Sequence, residues 1–281
     1  MIFLKSTYNE WVKIFSKPRS YIGLIALTIL ISVIQFGMNA DGSTYISFVT
    51  ASFEQTLSFS GEIINGNLIA FIIIQMLIVH VPLLVALVTG DLISGESNMG
   101  TIRMLATKPI SRVQIVLSKF LAGTFYTFFL TIWLGILSYV ISRWIFGTGD
   151  LIVLTSDGLI IHPEGDVTWR FVYGFLTAFI SLLTVATLSI CLSAFAENSI
   201  GPIVTTMAII ILFTIIGTLD VTVFDQVKPF LFTTHMAAWR SYFEDPVPWK
   251  EIKESIVIML IHIVLFISIA TFKFQRKDIL S

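Results

Sequence analysis

Six stretches of the chain, 20–40, 67–90, 120–142, 171–196, 198–219 and 255–272, contain no Asp, Glu, Lys or Arg. A helix rises 1.5 Å per residue, so ~20 uncharged residues reach across a hydrocarbon core of ~30 Å. Lipid offers no partner to a bare peptide group, so each stretch must pair its own backbone and is expected to be a helix. Strands of a membrane barrel would be ~10 residues long with alternating polarity, and these runs do not alternate. The expected fold class is therefore an all-α membrane protein with six transmembrane helices in one transmembrane domain, 1–281. Composition agrees. Charged residues make up 12% of the chain, about half the ~25% of a soluble domain, and mean hydropathy is +0.90.

The run 20–40 is expected to be a retained helix rather than a signal peptide. Its apolar core is too long, and Met38 stands where cleavage after Ala40 wants a small residue. With the amino terminus in the cytoplasm, the inner segments hold 11 of the 17 basic residues and 5 of the 18 acidic ones. The first outer loop, 41–66, carries no Lys or Arg. The positive-inside rule then places both termini in the cytoplasm of a plasma (inner) membrane protein.

Residues 1–19 read as an interfacial amphipathic helix. Leu4, Tyr8, Trp11 and Phe15 fall on one face, with Lys5, Asn9, Lys13 and Lys17 as a polar stripe directed at anionic headgroups. Pro18 is expected to end it. Pro82, after His80 in the second run, is expected to kink that helix.

The cytoplasmic segment 91–119 permits tight turns at Gly95 and Gly100, then a short helix over 101–106 exposing Ile102, Met104 and Leu105. Pro109 breaks it, and Ser111 with Gln114 reads as a capping box opening the third span. Such a helix is expected to bury its apolar side chains in a partner's groove or lie flat on the membrane. Gly90, Gly95 and Gly100 recur every five residues, but no lysine follows them as a phosphate loop requires, so ATP is not expected to bind here.

The outer loop 220–254 is long and rich in aromatics, among them Phe224, Phe230, Phe232, Trp239, Tyr242, Phe243 and Trp249. Short helices dipping into the outer leaflet are expected. In the fourth span, Thr177, Ser181 and Thr184 share one face, a packing surface or a substrate-lining one. The histidines are isolated, and Cys191 is the single cysteine. No metal spacing or catalytic constellation is present in the sequence, so a separate catalytic site, a metal and a cofactor are not expected. The uncharged spans argue against a proton-coupled carrier.

The segment after the second span resembles the signature of permease subunits of the type-2 ABC exporter family. The matching residues are Glu96, Gly100, Thr101, Leu105, Pro109, Ile110, Ser111, Arg112 and Lys119. The opening KIFSKPRSYIG and the ending RKDI (276–279) are similar to that family too. Ser118 departs from a common glycine, and Asn98 and Met99 stand where charged residues are usual. The resemblance implies an ABC transporter permease that pairs with a second permease subunit, as homodimer or with a sister chain. ATP is bound by a separate ATP-binding subunit. The short helix becomes the coupling helix, with Ile102, Met104 and Leu105 buried in the ATPase, and Glu96 and Arg103 orienting the contact by ion pairs. Nucleic acid is not among the expected partners. The competing expectations are a nucleotide-independent carrier or channel, and a non-transporting scaffold.

Overall fold

A computed structural model describes residues 2–50, 64–101, 110–155 and 158–277. The chain is a helical membrane protein. Five helices are each long and apolar enough to cross a bilayer, and a bent pair makes six if it counts as one span.

Helix α1 (Ile2–Ser16) meets α2 (Pro18–Thr50) at a bend on Lys17. Proline fits the first position of α2 because that position donates no helical bond. The apolar part of α2 runs to Gly42, beside a break at Asp41 (φ −149°, ψ 39°). The second expected span is broken into α3 (Gly66–Leu77) and α4 (Val81–Thr89), with a bend of 54° between Gly66–Leu77 and the stretch Val81–Asn98. Pro82 has no N–H for the Ile78 carbonyl, so the ladder opens there. A turn and the short α5 (Ser94–Asn98) follow.

Helix α6 (Arg112–Gly135) opens with the Ser111–Gln114 capping box that the spacing predicts. It begins eight residues before the uncharged run, so Lys119 lies inside the helix rather than at its opening. At its far end the helix widens into a π-helix, Ile136–Ile141, then continues as α7 (Ser142–Phe146). The π turn disturbs the backbone ladder, and Gln35 of α2 donates to the Leu137 carbonyl (2.9 Å) and to Ser142 Oγ (3.0 Å).

The all-α expectation needs one correction. Strands β1 (Leu151–Thr155) and β2 (Gly158–His162) form an antiparallel hairpin, Leu151 opposite His162 and Thr155 opposite Gly158. Two short apolar runs separated by Ser-Asp-Gly carry that signal in the sequence.

Helix α8 (Glu164–Phe195) is the central post, packed against α4, α6 and the elements that follow it. Its buried small and hydroxyl residues let neighbours approach closely. Helix α9 (Ile200–Thr218) leads to α10 (Thr222–Asp225), a 3₁₀ turn at Lys228–Phe230, α11 (Phe232–His235) and a 3₁₀ segment, Met236–Phe243. The short helices expected in 220–254 are there, but their largest rings turn into the protein. Trp239, Tyr242 and Phe243 are buried, with Phe243 5.0 Å from both Phe71 and Phe171, while Phe230 stays exposed. Helix α12 (Trp249–Arg276) closes the bundle, and Arg112 donates to the carbonyls of Gln275 (2.8 Å) and Lys277 (2.7 Å) at its end. A cation is favoured at that negative helix terminus.

Candidate functional site: a ring of ion pairs behind the motif segment

Charges absent from the uncharged runs gather where α1, α5 and α6 meet. Lys119 is 1% exposed and places its ammonium 2.7 Å from Glu10 Oε2 and 2.8 Å from Glu96 Oε2. Lys13 closes the circuit, 2.6 Å from Glu10 Oε1 and 2.7 Å from Glu96 Oε1. Each lysine bridges both carboxylates, so the four groups form a neutral ring. Burial works against charge on Glu10, yet the ammonium groups of Lys119 and Lys13 outweigh it and hold its carboxyl below the usual range. Burial also opposes charge on Lys13, and the Glu10 and Glu96 carboxylates raise its pKa above the ordinary lysine value.

A second cluster adjoins the ring. Asp91 lies 2.8 Å from Lys17 and 2.8 Å from Arg19, and accepts a hydrogen bond from Ser199 at the start of α9. Gly95 makes this possible, because a Cβ there would collide with the Asp91 carboxylate. Ser193 of α8 donates to the Gly90 carbonyl (2.7 Å) and accepts from the backbone N–H of Ser94 (2.9 Å) and Ile93 (3.2 Å). The turn is thus fixed from four helices before the chain reaches Gly100, whose φ of +68° lies in the left-handed region that favours glycine.

The sequence-derived residues divide into three groups. Glu96, Gly100 and Thr101 stand at this site, with Thr101 Oγ1 donating to the Glu96 carbonyl at 3.4 Å. The Glu96 side chain points into the protein, toward Lys13 and Lys119. Ile102, Arg103, Met104 and Leu105, and with them most of the expected coupling helix, lie outside the described residues.

Thr177, Ser181 and Thr184 form a separate site, fully packed within the chain. Thr177 donates to the Tyr242 hydroxyl (3.1 Å), Ser181 lies 3.3 Å from Met259 Sδ, and Thr184 donates back to the Ile180 carbonyl (3.0 Å). Sequence reading missed Glu10, Lys13, Asp91, Lys119 and Ser193 as one constellation. The lysine stripe of α1 does more than the expected headgroup contact requires: Lys13 and Lys17, both still partly exposed, pair with buried carboxylates, while Leu4, Tyr8 and Trp11 are exposed. The available signal was Glu10, three and seven residues before Lys13 and Lys17, which puts an acid on the lysine face.

Among the described residues no group of three or more His, Cys, Asp or Glu is placed to hold a metal ion. The ion pairs join α1 to α5 and α6, with Lys119, Glu10 and Glu96 buried and Lys13 half-exposed at the edge.

Fold and site together define a multi-pass α-helical membrane protein with an ion-pair anchor joining α1, α5 and α6. The chain belongs to the family described as Protein of unknown function (DUF2705), whose model matches residues 25–280. It is also similar to Uncharacterized protein YhcI of Bacillus subtilis (strain 168), at 24% identity over 98% of this chain and 99% of that protein.

Proposed function

We propose that the protein is the membrane-spanning permease subunit of an ATP-driven exporter, working with a separate ATP-binding subunit and a second permease chain in the plasma membrane, both termini cytoplasmic. The single observation that carries the reading is the anchored motif segment. Glu96 ties α5 to α1 and α6 through buried ion pairs, while the chain beyond it, from Asn98 through Gly100, turns outward and is exposed. A force applied by a partner to the residues after Gly100 is then delivered to several helices at once, instead of being lost in a slack loop. The buried Lys119 pairs supply the stiffness, because separating those charges where little water reaches them is costly.

The hydroxyl face of α8 is filled by the chain's own Tyr242 and Met259. In this reading cargo therefore passes at a seam between two permease chains rather than through one. The chain supplies no catalysis and holds no ATP.

Affinity purification from native membranes tests the assignment. An ATPase subunit is expected to accompany the wild type, and Met104→Glu with Leu105→Glu to release it while the permease remains folded. If no ATPase accompanies the wild type, or if those charges leave the complex and its ATPase stimulation intact, the reading fails. A nucleotide-independent carrier or a scaffold would then take its place.

A further inference from the structure

The face between α6 and α8 holds a concave apolar cavity of about 290 Å³, lined in part by Phe128, Thr131, Gly135, Tyr139, Val172 and Phe179. Its position coincides with the π-helix. Over Ile136–Ile141 one side of the helix is buried, with Leu137 offering its carbonyl to Gln35, while Ile136 and Val140 are turned outward to the cavity wall. A π segment is a costly departure from regular helix and recurs at functional sites. Gly135, just before it, leaves the wall without a side chain, so the Phe175 ring forms that wall directly.

The two ends of the cavity differ. Toward the middle of the spans it is closed by the Phe128 and Phe179 rings, whose centroids are 5.4 Å apart and whose planes are nearly perpendicular. Toward the hairpin the lining ends at Tyr139 and Val140 on one helix and at Val172 on the other. One turn further along each helix stand polar groups. Tyr139 and Thr168 share a hydrogen bond of 2.9 Å, and Arg143 donates to the Tyr139 hydroxyl and reaches Thr168 Oγ1 at 3.3 Å. Arg143 also meets Glu164 at 3.4 Å, a loose contact with the Glu164 side chain 47% exposed.

We propose that this cavity is a binding site for one phospholipid of the leaflet on the hairpin side, with an acyl chain in the groove. Its phosphate sits on Arg143 and a headgroup amine on Glu164. Phe128 and Tyr139 are eleven positions apart, which at ~1.5 Å per residue is about 16 Å, close to half of a ~30 Å hydrocarbon core. The groove is therefore as long as one leaflet is deep. Its volume is at the small end of ligand pockets (~300–1,000 Å³), room for a single chain rather than a bulky apolar molecule. Arginine matches phosphate with paired donors, and the guanidinium is already oriented by Tyr139 and Thr168. The exposed, weakly held Glu164 beside it makes the rim a cation–anion pair, the complement of an amine-bearing zwitterionic headgroup. This site is independent of whether an ATPase docks at the other end.

The test uses the full chain reconstituted in phosphatidylethanolamine vesicles carrying a trace of phosphatidylethanolamine with a photoactivatable acyl chain, followed by peptide mapping. Labelling is expected to concentrate on peptides 128–140 and 172–179, about tenfold above α9 peptides, the ratio that ~1.4 kcal/mol of site preference gives. Leu176→Trp, bulk added at a half-exposed wall position, is expected to remove that excess without lowering the melting temperature. Repeating the label with a phosphatidylglycerol probe in place of the amine headgroup should give weaker labelling in the wild type, and Glu164→Gln should erase the difference. Even labelling over all apolar helices overturns the proposal, as does indifference to Leu176→Trp. Crosslinks from these same peptides to a second copy of the chain also overturn it and make the groove a protein–protein seam.

Discussion

Lys119 lies 109 residues after Glu10 in the chain, yet its ammonium rests 2.7 Å from that carboxylate with almost none of either side chain exposed. The pair fastens the amino-terminal helix to the third span, and Glu96 shares the same ammonium at 2.8 Å.

Replacing Lys119 by Met keeps the stem volume and removes the charge. Glu10 and Glu96 are then left facing one another with only Lys13 between them. Removing one partner of a buried pair costs ~3–5 kcal/mol, so Lys119→Met is expected to lower the melting temperature in detergent sharply. The double variant with Glu10→Gln should recover part of the loss, because one orphaned carboxylate becomes neutral. If the double variant is as unstable as the two single losses combined, the ring is not a coupled unit.

The ring also sets a pH window. The carboxyl of Glu10 sits below its ordinary value of 4.5, so the folded state binds its proton less readily than the unfolded chain. Its contribution is fully present above that value and is lost as pH falls through the lowered one. Lys13 is raised above its ordinary 10.5, so its contribution holds below 10.5 and disappears as pH climbs through the raised value. Melting temperature against pH is expected to show a plateau between these limits. In Glu10→Gln the acid-side fall should be shallower, and high salt should weaken the half-exposed Lys13 contact more than the Lys119 one. An identical acid limb in wild type and variant would count against the ring as its origin.

Much of the helical frame was legible from the uncharged runs, because lipid leaves the backbone few alternatives. Pro82 and the Ser111–Gln114 cap marked a kink and a helix start for the same local reason: each acts on backbone bonds within one turn. The ring was illegible because it depends on Glu10, Glu96 and Lys119 meeting across three helices. No periodicity in one segment reports such a meeting. The pairing of Lys13 with Glu96 was hidden by a related route, since a lysine stripe reads the same whether or not a distant carboxylate reaches it. Trp239 and Phe243 misled likewise: an aromatic loop at a membrane border can enter lipid or fold under itself, and only packing against Phe71 and Phe171 decides it.

Gly95 is expected to tolerate no side chain. A Cβ there would strike the Asp91 carboxylate, which is held by Lys17, Arg19 and Ser199 and has no free direction to yield. Gly95→Ala should therefore cost about 1–3 kcal/mol, the usual range for an overpacked site, although alanine is the better helix former. Gly165, where a Cβ meets nothing within 4 Å, supplies the control. Gly165→Ala is expected to be neutral or slightly stabilising in the same thermal assay, and equal effects at the two positions would remove the steric explanation.

At the hairpin end the sensitive group is His162, buried with its Nε2 3.0 Å from the Phe243 carbonyl. Burial and the neighbouring Arg170 push its pKa below 6.5, although the Phe243 carbonyl, Asp166 and Asp245 pull the other way. Between 6.5 and the lowered value the unfolded chain takes up a proton that the folded protein refuses, so stability rises with pH across that window and falls on acidification. Glutamine at 162 can still donate to the carbonyl but does not titrate. The protection factors of peptides 151–162, exchange rates divided by the intrinsic rate at each pH, are expected to fall as the wild type is acidified below 6.5, with the His162→Gln profile flatter over the same range. A variant profile that tracks the wild type would place the sensitivity elsewhere, with the carboxylates of Asp166 and Asp245 the next groups to replace.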